Sequence, residues 1–139
     1  MRNLLLLLLL ICFAGLLMQC AGTKQLSQDE YDQLSPQERV TYLEKYTRKN
    51  STDISAKKQL YRQYLDMNMT DKALMVMEDI IRQDPFQAEV QYEYGELMMQ
   101  SGETIPAYQA FRDALKSPGG TSYSTKVSRY LGGKYSVSN

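Results

Sequence analysis

The chain has 139 residues, 43 % hydrophobic and 23 % charged, with 16 basic and 16 acidic side chains and no histidine. That length fits one small domain, the even charge argues against a general nucleic-acid binder, and the lack of histidine excludes an imidazole metal site, a histidine general base and a Ser-His-Asp triad. The two cysteines, Cys12 and Cys20, both fall near the start of the chain, so they form neither a structural zinc site nor a disulfide framework for the rest.

Arg2 puts a positive charge beside the start, and an apolar run without charge follows from Leu4 to Met18. The run is shorter than the roughly 20 residues a membrane-spanning helix needs and fits the apolar region of a secretory signal. A short retained anchor is the alternative. Leu17-Met18-Gln19-Cys20-Ala21 ends the run. This segment resembles the lipobox of bacterial lipoproteins, with Leu17 at the aliphatic position three before the cysteine. Met18 and Gln19 depart from the small residues the family prefers. The resemblance implies that residues 1–19 are removed and that Cys20 carries thioether-linked diacylglycerol and an N-acyl chain. Ala21, rather than Asp, then implies outer-membrane sorting. Each buried methylene adds about 0.8 kcal/mol of membrane affinity, so three chains would hold the protein firmly.

Residues 20–34 read as a small, polar tether, with a short helix capped by Ser27. Ser35-Pro36-Gln37-Glu38 is a stronger start: Ser35 as cap, Pro36 at the first helical position, Glu38 closing a capping box. Over 35–53 the spacing predicts one helix with Val40, Leu43 and Thr47 on the buried face and Tyr42 and Tyr46 beside them. Asn50-Ser51-Thr52-Asp53 ends it and caps the next. From Ile54 to Lys116 the periodicity is helical, with no sustained alternation to suggest a strand.

Sliding the chain along itself by one constant offset aligns Leu60 with Tyr94, Tyr61 with Gly95, Tyr64 with Met98 and Asn68 with Gly102. The same offset aligns Ala73 with Ala107, Met77 with Phe111 and Ile80 with Ala114. These are the packing positions of the tetratricopeptide repeat, and residues 54–119 resemble two such units. Pro85 and Pro118 close the two second helices, because proline cannot continue the hydrogen-bond ladder. The fold class expected is an all-α, helical-hairpin solenoid. The 35–53 helix and a short helix near Ser124–Leu131, within a capping and flexible segment 120–139, flank the repeats.

The resemblance implies a groove lined by the first helices: Lys58, Arg62, Leu65 and Asp66 from one, and Tyr92, Glu96, Met99 and Gln100 from the next. Lys58 and Arg62 share a face and suit a peptide carboxylate. A solvated basic stripe is the plainer reading. Arg62 stands where carboxylate-clamping members carry Asn, so that specific activity is not implied. Glu93 and Glu96 are spaced as a carboxylate pair, but nothing else converges on them, and no catalytic residue is assigned.

The methionines read as core filler rather than a soft-metal site. No metal is expected, and no cofactor beyond covalent lipid on Cys20. Ser117–Thr125 reads as a hinge. Tyr123, Tyr130 and Tyr135 read as docking on the solenoid end or on a partner. Eight acids and two bases lie from Glu78 to Asp113, and four bases with no acid follow, so the tail is expected to fold back on the acidic unit, with salt-sensitive contact to anionic lipid or a partner as the alternative. The function expected is a non-catalytic, lipid-anchored binding module, facing the periplasm, for another envelope protein or peptide. The rival is a structural subunit of an envelope complex that assembles through the solenoid ends, for instance by Val127, Tyr130 and Leu131.

Overall fold

The computed structural model describes residues 26–132. The leader, Cys20 with its lipidation, Lys134 and Tyr135 lie outside that range. The described residues form seven α-helices and one 3-10 turn, with no strand among them. The chain divides into two compact units at Gln33. In the first, α1 (Gln28–Asp32) starts from a capping box. The Glu30 N–H donates to the Ser27 hydroxyl, and the Ser27 N–H donates to the Glu30 carboxylate.

The second unit holds α2 (Pro36–Lys49), α3 (Ile54–Asp66), α4 (Thr70–Gln83), α5 (Ala88–Gln100), α6 (Thr104–Lys116), the 3-10 turn (Gly120–Tyr123) and α7 (Ser124–Tyr130). α2 opens on a second capping box, Ser35 with Glu38, with Pro36 in its first turn. Pro36 costs nothing there, because its missing N–H had no helical partner. α3 is capped by Asp53, whose carboxylate accepts the Ala56 N–H at 2.9 Å. From α2 to α6 each helix packs on the next.

The helix starts keep one spacing. α2, α4 and α6 begin at residues 36, 70 and 104, and α3 and α5 at 54 and 88, so each set steps by 34. The helix that the sequence set apart as an upstream cap therefore falls on the repeat register.

The turns repeat as well. Asn68 and Gly102 both adopt positive φ, 57° and 83°. Asn68 N–H donates to Leu65 O and Met69 N–H to Tyr64 O. One repeat on, Gly102 N–H donates to Met99 O and Glu103 N–H to Met98 O. This pattern satisfies the last carbonyls of a helix through a left-handed residue, and Asn is the best substitute where Gly is absent.

Ala73, Met77, Ile80, Ala107, Phe111 and Ala114 are fully buried, and Leu60 and Tyr64 nearly so. Each large apolar side chain among them contributes about 1.5–3 kcal/mol. Gly95 is tight for a reason: a Cβ there would lie 2.7 Å from two ring carbons of Phe111. In the first repeat a buried Tyr61 occupies that place, and the flexible Met77 replaces the Phe111 ring. Pro85 is exposed just past the end of α4.

One expectation is corrected. The segment 117–125 is not a hinge. Ser117 is buried, and its hydroxyl donates to Asp113 O at 2.8 Å. The 3-10 turn is pressed so closely on α6 that a Cβ on Gly120 would sit 1.9 Å from Ala114 O.

Candidate interaction surface

The first helices of the two repeats, α3 and α5, are joined by polar contacts. Lys58 and Arg62 both reach Glu89, at 3.4 and 2.6 Å. They do not form an open basic stripe. Glu89 pairs with both and offsets one of their two charges, with the Arg62 side chain half exposed. At that exposure such a pair contributes about 0.2–1 kcal/mol. One turn on, the Tyr61 hydroxyl donates to Glu93 at 2.7 Å. Burial first, and the Glu93 carboxylate second, raise the Tyr61 hydroxyl above the usual tyrosine range.

The same geometry recurs one repeat later with different chemistry. Tyr92 stands where Lys58 stood, and Tyr123 where Glu89 stood. Their rings stack with centroids 4.8 Å apart. Lys126 lies over both rings, at 5.5 and 5.7 Å. Tyr130 stacks on Phe111 at 4.9 Å and donates to Glu96 at 3.0 Å. The Tyr92 hydroxyl donates to the same Glu96 oxygen at 2.5 Å. Burial first, then Glu96, raise the Tyr92 hydroxyl. For Tyr130 the hydrogen bond to Glu96 comes first and burial second.

Residues 120–130 thus hold the place of a third first-helix. The contact of the basic tail with the acidic unit is largely aromatic, with Lys126 over Tyr92 as its cationic part. Tyr92 is left only 5 % exposed, so its ring is covered by the chain itself rather than offered to a partner. Of the remaining groove residues, Leu65 and Met99 are half-buried, and Asp66 and Gln100 are exposed. Glu93 and Glu96 serve different tyrosines and do not converge.

A feature the sequence reading missed lies on the face of α3 turned toward α4. Lys57, with a side chain 6 % exposed, pairs with Asp79 on α4. It borders an open groove of about 440 Å³ that Glu44, Thr47, Arg48, Leu60 and Met75 also line. The signal was present: Lys57, Leu60 and Tyr64 are spaced i, i+3, i+7, which puts the lysine on the buried stripe. Tyr64 donates to Glu44 at 2.6 Å, and Lys72 comes within 3.6 Å of the same carboxylate.

Large apolar side chains stand exposed at Met75, Phe86, Ile105 and Tyr108. Among the described residues, no cluster of three or more acidic or thiol groups could hold a metal.

No family model matches the chain, and no curated protein matches it. Among solved structures, the crystal structure of MamA is similar, with a TM-score of 0.60 at 19 % identity, over 71 % of this chain and 58 % of MamA. The chain therefore spans somewhat over half the length of that TPR-like protein. At this identity the likeness speaks to architecture: the fold is an all-α, TPR-like helical solenoid.

Proposed function

We propose that the chain is a lipid-anchored, non-catalytic binding module that holds another envelope protein or peptide at the outer membrane, facing the periplasm. A TPR-like solenoid supports protein partners in general. The observation that carries the binding half is the side-by-side packing of α3 and α5. On these helices Leu65 and Met99 are half-buried, and Asp66 and Gln100 are exposed. Two half-buried apolar side chains flanked by exposed polar ones make an adaptable contact strip. The anchoring half rests on the lipobox-like segment from Leu17 to Ala21.

Catalysis plays no part in this reading. Glu93 and Glu96, the nearest thing to a carboxylate pair, are each taken up by tyrosine hydroxyls.

Two measurements test it. The mass of the mature N-terminus should show Cys20 as the first residue, bearing acyl chains. An unmodified Cys20 removes the anchor. A photo-crosslinking residue at Leu65 or Met99 in intact cells should capture the same envelope protein from both positions. A folded protein that captures nothing from either overturns the groove.

A further inference from the structure

We infer that the groove bordered by α2, α3 and α4 docks an acidic, apolar segment of a protein partner. A carboxylate of that segment would sit on Arg48, and an apolar neighbour would lie against Met75. The site shares no residue with the strip of Leu65 and Met99 and needs no lipid anchor, so it stands apart from the proposed function.

A break in the repeat pattern points to Arg48. Near the ends of α4 and α6 a base has an acid three residues before it: Arg82 lies 3.8 Å from Asp79, and Lys116 lies 3.8 Å from Asp113. The same two positions of α2, 34 residues before those of α4, hold Lys45 and Arg48. A base thus replaces the acid. Glu44, four residues before Arg48, is turned elsewhere. It accepts the Tyr64 hydroxyl at 2.6 Å and lies 3.6 Å from Lys72. Among the described residues no carboxylate pairs with Arg48, which is exposed at the border of the groove.

The other charges of the groove are engaged. Asp79 holds the nearly buried Lys57 and has Arg82 at its outer side. A buried ammonium is costly unless paired, so Asp79 is committed to Lys57. Four bases, Arg48, Lys57, Lys72 and Arg82, stand against the two acids Glu44 and Asp79. The surplus is positive, and the guanidinium at the border is the charge left for a partner. Its planar fork suits a carboxylate.

Apolar surface lies beside it. Met75 is 69 % exposed and borders the same groove as the buried Leu60. The equivalent seam one repeat later is built of other side chains. Tyr94 stands at the position of Leu60, and its hydroxyl donates to Glu78 at 3.1 Å. Gln91 replaces Lys57 and donates to Pro85 O at 3.2 Å, and Gln109 replaces Met75 and donates to Asp113 at 2.8 Å. The combination of free guanidinium, buried lysine and exposed methionine therefore belongs to this seam alone. At about 440 Å³ the groove is large enough for a ligand group. It is open, however, whereas a free small molecule binds where most of its surface is enclosed. A group carried on a larger body suits an open groove better.

The test uses the full chain in phosphatidylcholine vesicles and an array of immobilised eight-residue peptides, each combining two Leu with either two Asp or two Asn. Asp peptides should retain the parent at least about tenfold more strongly than Asn peptides, and added salt should narrow the difference. Arg48→Glu leaves three bases against three acids, so it should retain both sets alike while helical circular dichroism is kept. A photo-crosslinking residue at Met75 should label the bound Asp peptide. Should Arg48→Glu lose its helicity, Met75→Asp at an exposed position should likewise abolish the preference. No retention of Asp peptides, equal retention of both sets by the parent, an unchanged preference in the folded variant, or a bound peptide without label at Met75 overturns the proposal. Decanoate that displaces the peptide at equal concentration would make the groove a site for small amphiphiles and overturns it too.

Discussion

The Tyr61 hydroxyl reaches from α3 to the Glu93 carboxylate on α5, 2.7 Å away, across the boundary between two repeats. The ring itself is fully buried. One side chain thus fills space inside its own repeat and fastens that repeat to the next. The two roles separate by substitution. Tyr61→Phe keeps the ring and removes a hydrogen bond to a charged acceptor, so it should cost about 1.5–3 kcal/mol. Tyr61→Ala also opens a cavity and should cost about 3–5 kcal/mol. Urea unfolding of both variants gives the difference, and a Tyr61→Phe variant as stable as the parent would show that the Glu93 bond adds nothing.

Gly95 is the counterpart of Tyr61, and its constraint is steric. Its Cα faces Phe111 so closely that an added Cβ would meet the ring at 2.7 Å. Gly95→Ala should therefore destabilise by about 1–3 kcal/mol despite the better helix propensity of alanine. Phe111→Met imports the first repeat's solution. The double variant should lose less than the sum of the singles, and a double-mutant cycle measures that coupling. Strict additivity would mean that the ring is not what excludes the Cβ.

Much of this architecture could be read from the residues. Ser35-Pro36-Gln37-Glu38 has one physical use, and the structure puts it to that use. The Ala73/Ala107 and Met77/Phe111 pairs share one offset because the helix crossings they fill share one geometry. The interaction surface was less legible. Lys58 and Arg62 read as a basic face because Glu89, their partner, belongs to the next repeat and meets them only once α3 and α5 pack. The segment from Ser117 to Thr125 read as a hinge because its glycines and serines suit loops. There Gly120 serves close approach to α6, and Gly119 supplies a positive φ at the turn. Composition reports what a segment can do locally, while packing decides which of those options is used.

The ion pairs centred on Glu89 and on Asp79 should respond very differently to removal of the carboxylate. Glu89 meets half-exposed Arg62 and the more sheltered Lys58, so Glu89→Gln should cost about 0.2–1 kcal/mol, and less in high salt. Asp79→Asn leaves the Lys57 ammonium enclosed without its carboxylate. That loss should approach the roughly 3–5 kcal/mol seen when a buried pair is broken, reduced because Asp79 itself is partly open. Thermal unfolding at two salt concentrations separates the cases. Equal, salt-sensitive losses would show that burial of Lys57 does not govern the second pair.

Alkaline pH should unfold the chain through its tyrosines. Burial, reinforced by carboxylate neighbours, raises the Tyr61, Tyr64 and Tyr92 hydroxyls above their unfolded value near 10. A folded value above the unfolded one means that the native state holds its protons longer. That stability is fully present below about pH 10 and is lost as pH rises through the folded values. Ultraviolet titration should show exposed tyrosines ionising first and these three ionising only as helicity falls. Smooth ionisation of every tyrosine near pH 10 with the helices intact would contradict the burial.

The last helix should open before the rest. α7 spans seven residues and is held by Val127 in the core, by Tyr123 on Tyr92 and by Tyr130 on Phe111 and Glu96. Helices this short are unstable alone, so these contacts supply nearly all its order. Tyr130→Ala removes a stack worth about 0.5–1.5 kcal/mol together with one of the two hydroxyls on Glu96. Amide exchange should then quicken across residues 120–132 and stay nearly unchanged in α3 and α4, since local opening need not involve the global transition. Exchange that quickens equally in α3 would instead show that α7 and the first repeat unfold as one cooperative body. In that event the third first-helix position would be integral to the solenoid rather than a segment laid against its end.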